Sequence, residues 1–285
     1  MPLVGSVRNL MVRGLIAGLI AGLLAGGVAF ALGESHVQAA IAIEEAEQTA
    51  PAHDAHSTAA DAHSHQTDTA PLVDRRGQRA GLVLATTLAG LALGAIFALG
   101  ATYLRRFTKL PGAAFVLSLA VLCWLATDAV PFFKYPANPP AVGDPDTLDK
   151  RTLLWLGAVM LGLFAVAISV LTAKIAARIP AMRRVEAQYP EGQGLWTVQV
   201  VCGVITFIAV VTIGYLLLPS INEVGQDFPA TLLWQFRVSS LATQATLWLA
   251  LGLIFAVLTQ LAERSARKST PNVVEPIPLG GNVST

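Results

Sequence analysis

The chain has 285 residues, of which 54% are apolar and only 13% are charged, and its formal net charge is +1. Soluble globular domains carry about 25% charged residues, so this composition excludes an ordinary soluble domain and favours an integral membrane protein. The Lys and Arg residues form short clusters between apolar runs rather than one basic face, so we expect no nucleic acid as a partner.

Six apolar stretches are long enough to cross a membrane, because a hydrocarbon core of about 30 Å needs roughly 20 helical residues. They predict an all-α, polytopic membrane helix bundle with about six transmembrane helices. The predicted spans are Gly14–Leu32, Gly81–Leu104, Pro111–Phe133, Leu153–Ala173, Val198–Leu218 and Val238–Leu261. Residues 1–32 then hold the N-terminus and first helix, 33–80 an outer loop, 81–261 the remaining helices, and 262–285 a disordered cytoplasmic tail.

The distribution of Lys and Arg predicts the orientation, because positively charged loops stay in the cytoplasm. With both termini inside, the cytoplasmic segments hold 12 of the 19 basic residues, and the outer segments hold 14 of the 18 acidic ones. A negative outer surface raises the local concentration of cations, an effect that salt weakens. We expect an N-in, C-in protein in the cytoplasmic (inner) membrane of a bacterium.

The first span carries a glycine at every fourth position, at Gly14, Gly18, Gly22 and Gly26. This spacing lays a smooth stripe along one helix face, which lets another helix approach closely in lipid, although a hinge is a second use for it. A cleaved signal peptide is the alternative for the whole span, since Arg8 and Arg13 precede the apolar run and "AFA" resembles a cleavage site. The glycine stripe favours a retained helix.

The segment "GESHVQAAIAIEEAE" follows the first span. If the helix continues through it, Glu34, His36, Glu44 and Glu45 come to the mouth of a pore, where they are candidate metal ligands. The alternative is an interfacial segment with ordinary solvated acids, and the sequence favours neither.

Residues 51–71 contain four of the five histidines, His53, His56, His63 and His65, with aspartates between them. Imidazole and carboxylate together suit zinc, nickel, cobalt or copper rather than calcium or magnesium. The Ala, Ser, Thr and Asp composition is not that of a folded zinc module, so we expect a flexible segment that gathers metal. Binding should fade below about pH 6.5, because the ligand is neutral imidazole. The alternative is a polar spacer in which histidine is frequent.

Asp128 is a carboxylate well inside a predicted span. A charge at membrane depth costs about 2.5–3.5 kcal/mol on insertion scales, so such residues usually face a pathway or a partner. Asp128 lies about 7 Å before the predicted outer end, which reduces that cost. We expect it to line a pathway and bind the ion; a partly hydrated carboxylate is the alternative.

The segment "KYPANPPAVGDPDTLDKRT" after the third span contains four prolines, which restrict the backbone and predict a shaped outer loop. Asp144 in this loop is a candidate ligand for a hard cation, although a turn is the favoured role for it.

The last span has a polar edge that includes Arg237, Ser240 and Gln244, with Ser240 and Gln244 one turn apart. Polar groups in lipid must find partners, so packing between helices is the favoured role. The alternative is a translocation path shared with Asp128.

The sequence contains no phosphate-binding loop, dinucleotide fingerprint, zinc-protease motif or serine-hydrolase elbow, and both cysteines lie in apolar segments. We therefore expect no enzyme activity and no prosthetic group. Energy for transport would come from a gradient or from another subunit.

Three stretches resemble the CbtA family of predicted cobalt transporter subunits: "GESHVQAAIAIEEA" (33–46), "FKYPANPPAVGDPDTLDKRTLLWL" (133–156) and "NEVGQDFPATLLWQFRVSSLATQATLW" (222–248). The resemblance covers most of the chain to about residue 261. It implies a polytopic subunit for uptake of cobalt destined for cobalamin, working beside a small single-span, histidine-bearing subunit called CbtB. The chain departs from the family pattern at Ser35, where proline is expected, and in its histidine-rich insertion.

The residues that the resemblance marks lie in all three stretches: Glu34 and Glu44 or Glu45; Lys134, Asn138, Gly143 and Asp144; and Asn222, Glu223, Phe228 and Arg237. The resulting hypothesis is a membrane subunit that passes a divalent transition metal inward, Co²⁺ by resemblance and Ni²⁺ or Zn²⁺ equally by ligand chemistry. Glu34, Asp128 and the other marked acids, Glu44 or Glu45, Asp144 and Glu223, would carry the ion. A membrane metal sensor or scaffold is the alternative: a water-filled path through Asp128 and Gln244 would favour transport, and a sealed bundle would favour sensing.

Overall fold

The computed structural model describes residues 3, 5–49, 75–181, 184 and 193–268. Within them the chain is helical and has no strand, and we number its helices α1 (Val7–Val28), α2 (Glu34–Thr49), α3 (Arg75–Leu104), α4 (Gly112–Trp124), α5 (Val130–Lys134), α6 (Leu148–Ala176), α7 (Gln193–Leu217) and α8 (Ala230–Lys268). A π-helical turn, Ala29–Gly33, joins α1 to α2, and a second, Leu125–Ala129, joins α4 to α5. Six of the resulting helical segments are long and apolar enough to cross a membrane, which confirms the predicted all-α bundle.

Helices α1 and α3 pack against each other through glycines. A Cβ atom on Gly14 would overlap the carbonyl oxygen of Gly94, and one on Gly18 would overlap that of Gly90. The two backbones approach so closely that only a hydrogen atom fits at these positions. The packing role predicted for the glycine stripe is therefore confirmed, and α3 is the partner helix.

The main hydrophobic core lies between α1, α3, α4 and α8. Phe97 of α3 meets Phe255 and Trp248 of α8 edge to face, with ring centroids 5.5 and 6.4 Å apart. Leu10 and Leu251 are completely buried in the same core. Such aromatic pairs add about 0.5–1.5 kcal/mol each beyond the area they bury. Helix α8 contacts each of the other three helices and is the centre of this core.

Helices α6 and α7 form a second unit of the bundle. The side chain of Leu161 on α6 fills the place where Gly214 of α7 would carry a Cβ atom. Gly162, also on α6, lies directly against the carbonyl of Ala126 in the π turn after α4. This contact joins the α6–α7 pair to the main core at the depth of Asp128.

At one end of the bundle, the N-terminal residues meet the connection between α3 and α4. The Arg105 guanidinium donates to the carbonyl of Leu3 at 3.0 Å, and the Lys174 ammonium donates to the carbonyl of Phe107 at 3.2 Å. The loop after α5 and the segment before α8 lie at the opposite end. Consecutive membrane-length helices therefore alternate in direction.

Several helices extend beyond their predicted spans. The first continues past Leu32 to Thr49, and the last runs from Ala230 to Lys268. Apolar composition marks only the part of a helix that lies in hydrocarbon, whereas backbone hydrogen bonding continues into the headgroup and water layers. The start of the expected outer loop and the start of the expected tail are thus helical.

Candidate functional site

A cavity of about 680 Å³ begins among the loops after α5 and before α8 and extends between the helices. Asp128 and Gln244 line its membrane part, while Arg151, Glu223 and Arg237 line the part nearer the loops. Four of these five residues were predicted, Asp128 from the third span and the other three, Glu223, Arg237 and Gln244, from the stretch 222–248. The fold brings them into one space.

Asp128 is held by two donors on one of its carboxylate oxygens. The Trp248 indole nitrogen and the Thr127 hydroxyl both donate to Asp128 Oδ2, each at 2.6 Å. No donor in the described part of the chain meets the other oxygen, Oδ1. The carboxylate is therefore fixed through Oδ2, and Oδ1 is the atom that a ligand in the cavity can reach.

The backbone around Asp128 is not an ordinary α-helix. The π turn Leu125–Ala129 inserts a wider turn, and Pro131 follows it at the start of α5. Proline has no N–H to donate to the carbonyl four residues earlier, so the regular hydrogen-bond ladder cannot continue through this region. Single π turns of this kind occur frequently at functional sites.

Gln244 contributes a second oxygen without a partner. Its Oε1 atom is buried and accepts no hydrogen bond from the described residues. Gln244 lies one helical turn from Trp248 on α8, so it is one turn from the residue that holds Asp128. Leaving a buried amide oxygen unpaired costs about 1–3 kcal/mol, a cost that water or an ion in the cavity would relieve.

Glu223 joins the segment before α8 to the start of α6. Its Oε1 accepts from the Thr147 hydroxyl at 2.6 Å, and its Oε2 accepts from the backbone N–H of Asp144 at 3.1 Å. The same Oε2 forms an ion pair with Arg151 at 3.3 Å. We call these four residues the Glu223 clasp, because they fix two chain segments that are far apart in the sequence at the rim of the cavity.

The Asp144 side chain has a local role. Its carboxylate accepts from the backbone N–H of Asp146 at 2.9 Å, next to Gly143, whose φ of +126° lies in the region that favours glycine. This is the turn that the sequence analysis favoured for Asp144.

The Glu223 clasp predicts a pH dependence of stability. The Thr147 hydroxyl first, and then the Asp144 N–H, lower the pKa of Glu223 from its ordinary value of 4.5. A carboxyl group whose pKa is lowered in the folded state stabilises the fold at pH values above its ordinary pKa. This stabilisation is lost as the pH falls through the lowered pKa. We expect the thermal stability of the purified protein to drop below pH 4.5, and Glu223→Gln to flatten that part of a melting profile. The exposed Asp227→Asn is the matched control, and an unchanged profile in Glu223→Gln would contradict the assignment.

Arg237 holds the proline-rich loop at the rim. Its guanidinium donates to Asn138 Oδ1 at 3.0 Å and to the carbonyl of Ala137 at 3.3 Å. Within the described residues it forms no ion pair. At 1.5 Å per residue, Arg237 lies about 10 Å along α8 from Gln244 and about 16 Å from Trp248. The positive charge is therefore at the rim, far from the Asp128 level.

The other hydroxyls of the polar edge donate mainly to backbone carbonyls of their own helix. Thr243 and Thr246 donate to carbonyls of their own helix at 2.9 and 2.8 Å. Ser239 donates to the carbonyl of Leu32 at 3.0 Å and is the member that bonds between helices. Ser240 is half-buried and does not line the cavity.

The candidate ligands of α2 lie apart from the cavity. Glu34 forms an ion pair with Arg79 at 2.9 Å, and His36 Nδ1 lies 3.3 Å from the Ser239 hydroxyl oxygen. Glu44 is half-buried and Glu45 exposed farther along the helix. In the part of the chain that the structure describes, these four residues are not brought together with Asp128.

The histidines His53, His56, His63 and His65 lie outside the described residues. Among the residues that are described, no three His, Cys, Asp or Glu side chains lie close enough together to hold a metal ion. The predicted ligand roles stay predictions.

Sequence reasoning missed Trp248, Thr147 and Arg151. Trp248 carried a signal, because it lies in the middle of the last predicted span, away from the headgroup layer where tryptophan is enriched. A buried indole N–H needs an acceptor, and Asp128 was the nearby carboxylate. Thr147 and Arg151 carried no comparable signal in the sequence.

No curated protein and no solved structure matches the chain. A family model described as "Probable cobalt transporter subunit (CbtA)" matches residues 7–260, which include every residue of the cavity. That description is of a transporter subunit and not of an enzyme, and the six membrane-length helices make the chain an integral membrane protein. Because the match covers nearly the whole chain, the chain belongs to the CbtA family.

Proposed function

We propose that the chain is the membrane subunit of an uptake transporter for a divalent transition metal, and that the cavity is the chamber through which the ion enters. Co²⁺ is the proposed cargo, and Ni²⁺ or Zn²⁺ would suit the same histidine and carboxylate ligands. The observation that carries the proposal is the shared cavity of Asp128 and Gln244. A sensor or scaffold that binds metal only in its outer segment has no need of such a space between helices.

The proposed route begins on the outer face. The histidines of residues 51–71, together with His36, Glu34, Glu44 and Glu45, form a collecting surface in this proposal. The ion then passes the rim, where Asp144 and Glu223 lie, and reaches Asp128. Both termini face the cytoplasm, since the end of the bundle with Arg105 and Lys174 is the basic one.

The proposed setting is the cytoplasmic membrane of a bacterium, with a small single-span, histidine-bearing subunit of the CbtB type as partner. The sequence has no nucleotide-binding motif, so the ion would move down a gradient or be driven by another subunit.

Uptake of radioactive cobalt tests the proposal. Cells that carry the full chain, with and without the small subunit, are compared with cells that carry neither. Accumulation that depends on the chain under at least one condition is the expected result. A chain that binds cobalt but produces no accumulation under either condition would overturn the transporter and leave the sensor.

Removal of residues 51–71 is expected to raise the cobalt concentration needed for half-maximal uptake several-fold, with little change in the maximal rate. A collecting segment raises the local ion concentration but does not form the path. The matched control keeps the length and the aspartates of the segment and replaces its four histidines by asparagine. Loss of the maximal rate would place the segment in the path itself, and an unchanged concentration dependence would identify it as a spacer.

A further inference from the structure

The cavity offers an ion few free ligands. Both oxygens of Glu223 are engaged in its clasp, and Asn138 Oδ1 accepts from Arg237. Asp128 Oδ2 accepts from two donors. Asn222 Oδ1 accepts from the backbone N–H of Val224. Among the carboxylate and amide oxygens of the described lining residues, Asp128 Oδ1 and Gln244 Oε1 are therefore the ones without a donor, and neither a histidine nor a cysteine is in the lining.

Two oxygens do not replace the six waters of a small divalent cation. Removing that water is costly unless protein ligands take its place. Metal-bound water, however, is a strong hydrogen-bond donor. Asp128 and Gln244 each have an oxygen that can accept a hydrogen bond from such a water. The ligand set suits the outer face of a hydration shell better than the metal itself.

The volume of the cavity fits the same conclusion. Six waters occupy about 180 Å³ at roughly 30 Å³ each, whereas the cavity measures about 680 Å³. The cavity is therefore several times larger than a hydrated ion. A site that binds the bare metal directly would have to close around an ion with a far smaller volume.

The charges are arranged for a cation at the membrane end. Arg151 is neutralised by Glu223. Arg237 lies about 16 Å along α8 from the level of Asp128, and the repulsion between two charges falls with their distance. The net charge near the Asp128 end is that of one carboxylate.

We propose that the cavity accepts the divalent cation with its first shell of water intact and recognises it through hydrogen bonds from that shell to Asp128 Oδ1 and Gln244 Oε1. This inference rests on the proposed function and specifies its cargo as a hydrated ion. The cavity then selects by size and charge of the hydrated ion, and the preference for one transition metal arises elsewhere.

Hexaamminecobalt(III) tests the inference, because its six amine ligands do not exchange and its size is close to that of a hydrated divalent ion. It also cannot bind histidine directly, so the histidine-rich segment does not capture it by coordination. Its binding to the full-length purified chain in lipid nanodiscs is measured by calorimetry. In parallel, it competes against Co²⁺ for binding and for uptake into proteoliposomes.

We expect hexaamminecobalt(III) to bind the wild type and displace Co²⁺ from the cavity. Asp128→Asn should weaken its binding at least tenfold, and Gln244→Met by a smaller factor, with Asp227→Asn as the matched control outside the cavity. Gln244→Met removes the amide group with its unpaired oxygen and leaves Asp128 unchanged, so it keeps the test valid if Asp128→Asn folds poorly.

Failure of the inference and failure of the proposed function give different results. Co²⁺ binding that depends on Asp128 but is not displaced by a hundredfold excess of hexaamminecobalt(III) would mean direct coordination and overturn the inference alone. Equal binding of the probe to all variants, or no binding, would also overturn it. Specific binding of the probe without any cobalt uptake would support the inference and overturn transport.

Discussion

Asp128→Asn is expected to reduce cobalt uptake at saturating cobalt by at least tenfold, about 1.4 kcal/mol in the barrier or more. Asparagine keeps an oxygen that can accept from Trp248 and Thr127, so the contacts of Oδ2 survive. It loses the negative charge that faces the cavity. A divalent ion then has no countercharge at the membrane end of the cavity. Initial uptake rates over a range of cobalt concentrations measure the effect.

Two controls separate lost charge from lost structure. Asp227→Asn removes an equal charge from an exposed turn outside the cavity and should keep the wild-type rate. Size-exclusion profiles and melting temperatures of Asp128→Asn should match the wild type. Full uptake by a correctly folded Asp128→Asn protein would mean that the cavity is not the path.

The parts of the fold that the sequence predicted are those that depend on local composition. Six membrane-length helices follow from the apolar runs, because a segment of that length in hydrocarbon must satisfy its own backbone hydrogen bonds, as a helix does. The glycine stripe of α1 predicted a close helix partner, since only small residues let two backbones touch. It did not identify α3 as that partner, because the matching glycines Gly90 and Gly94 are 64 or more residues away from the stripe in the sequence.

The candidate site was predictable only in pieces. Asp128 stood out as a carboxylate within a span, and Glu223, Arg237 and Gln244 came from a second stretch, 222–248. Their common cavity depends on the π turn before Pro131 and on the packing of α6 against it. Pro131 is a local signal for an interrupted helix, whereas the packing of α6 has no local sequence signal. The Glu223 clasp likewise joins residues 76 positions apart through a single carboxylate. Such contacts are decided by how the loops meet after the helices are packed.

Gly22→Ala is expected to destabilise the protein, whereas Gly27→Ala in the same helix is expected to be neutral or stabilising. A Cβ atom on Gly22 would lie 2.5 Å from the Thr86 carbonyl oxygen and 2.8 Å from Thr87 Cα, both backbone atoms of α3. A Cβ atom on Gly27 would meet nothing within 4 Å. The two variants make the same chemical change, so their difference isolates the contact between helices.

Two opposing contributions to the free energy of unfolding decide whether alanine stabilises or destabilises the protein at each position. Alanine gains up to about 1 kcal/mol over glycine within a helix, at both sites. Overpacking a tight contact costs about 1–3 kcal/mol, and at Gly22 the neighbouring backbone cannot move aside as a flexible side chain would. Melting temperatures in one detergent should therefore fall for Gly22→Ala by several degrees and stay level or rise for Gly27→Ala. Equal stability of the two variants would mean that α1 does not pack against α3. The packing that stabilises the core around α8 would then have to come from another helix.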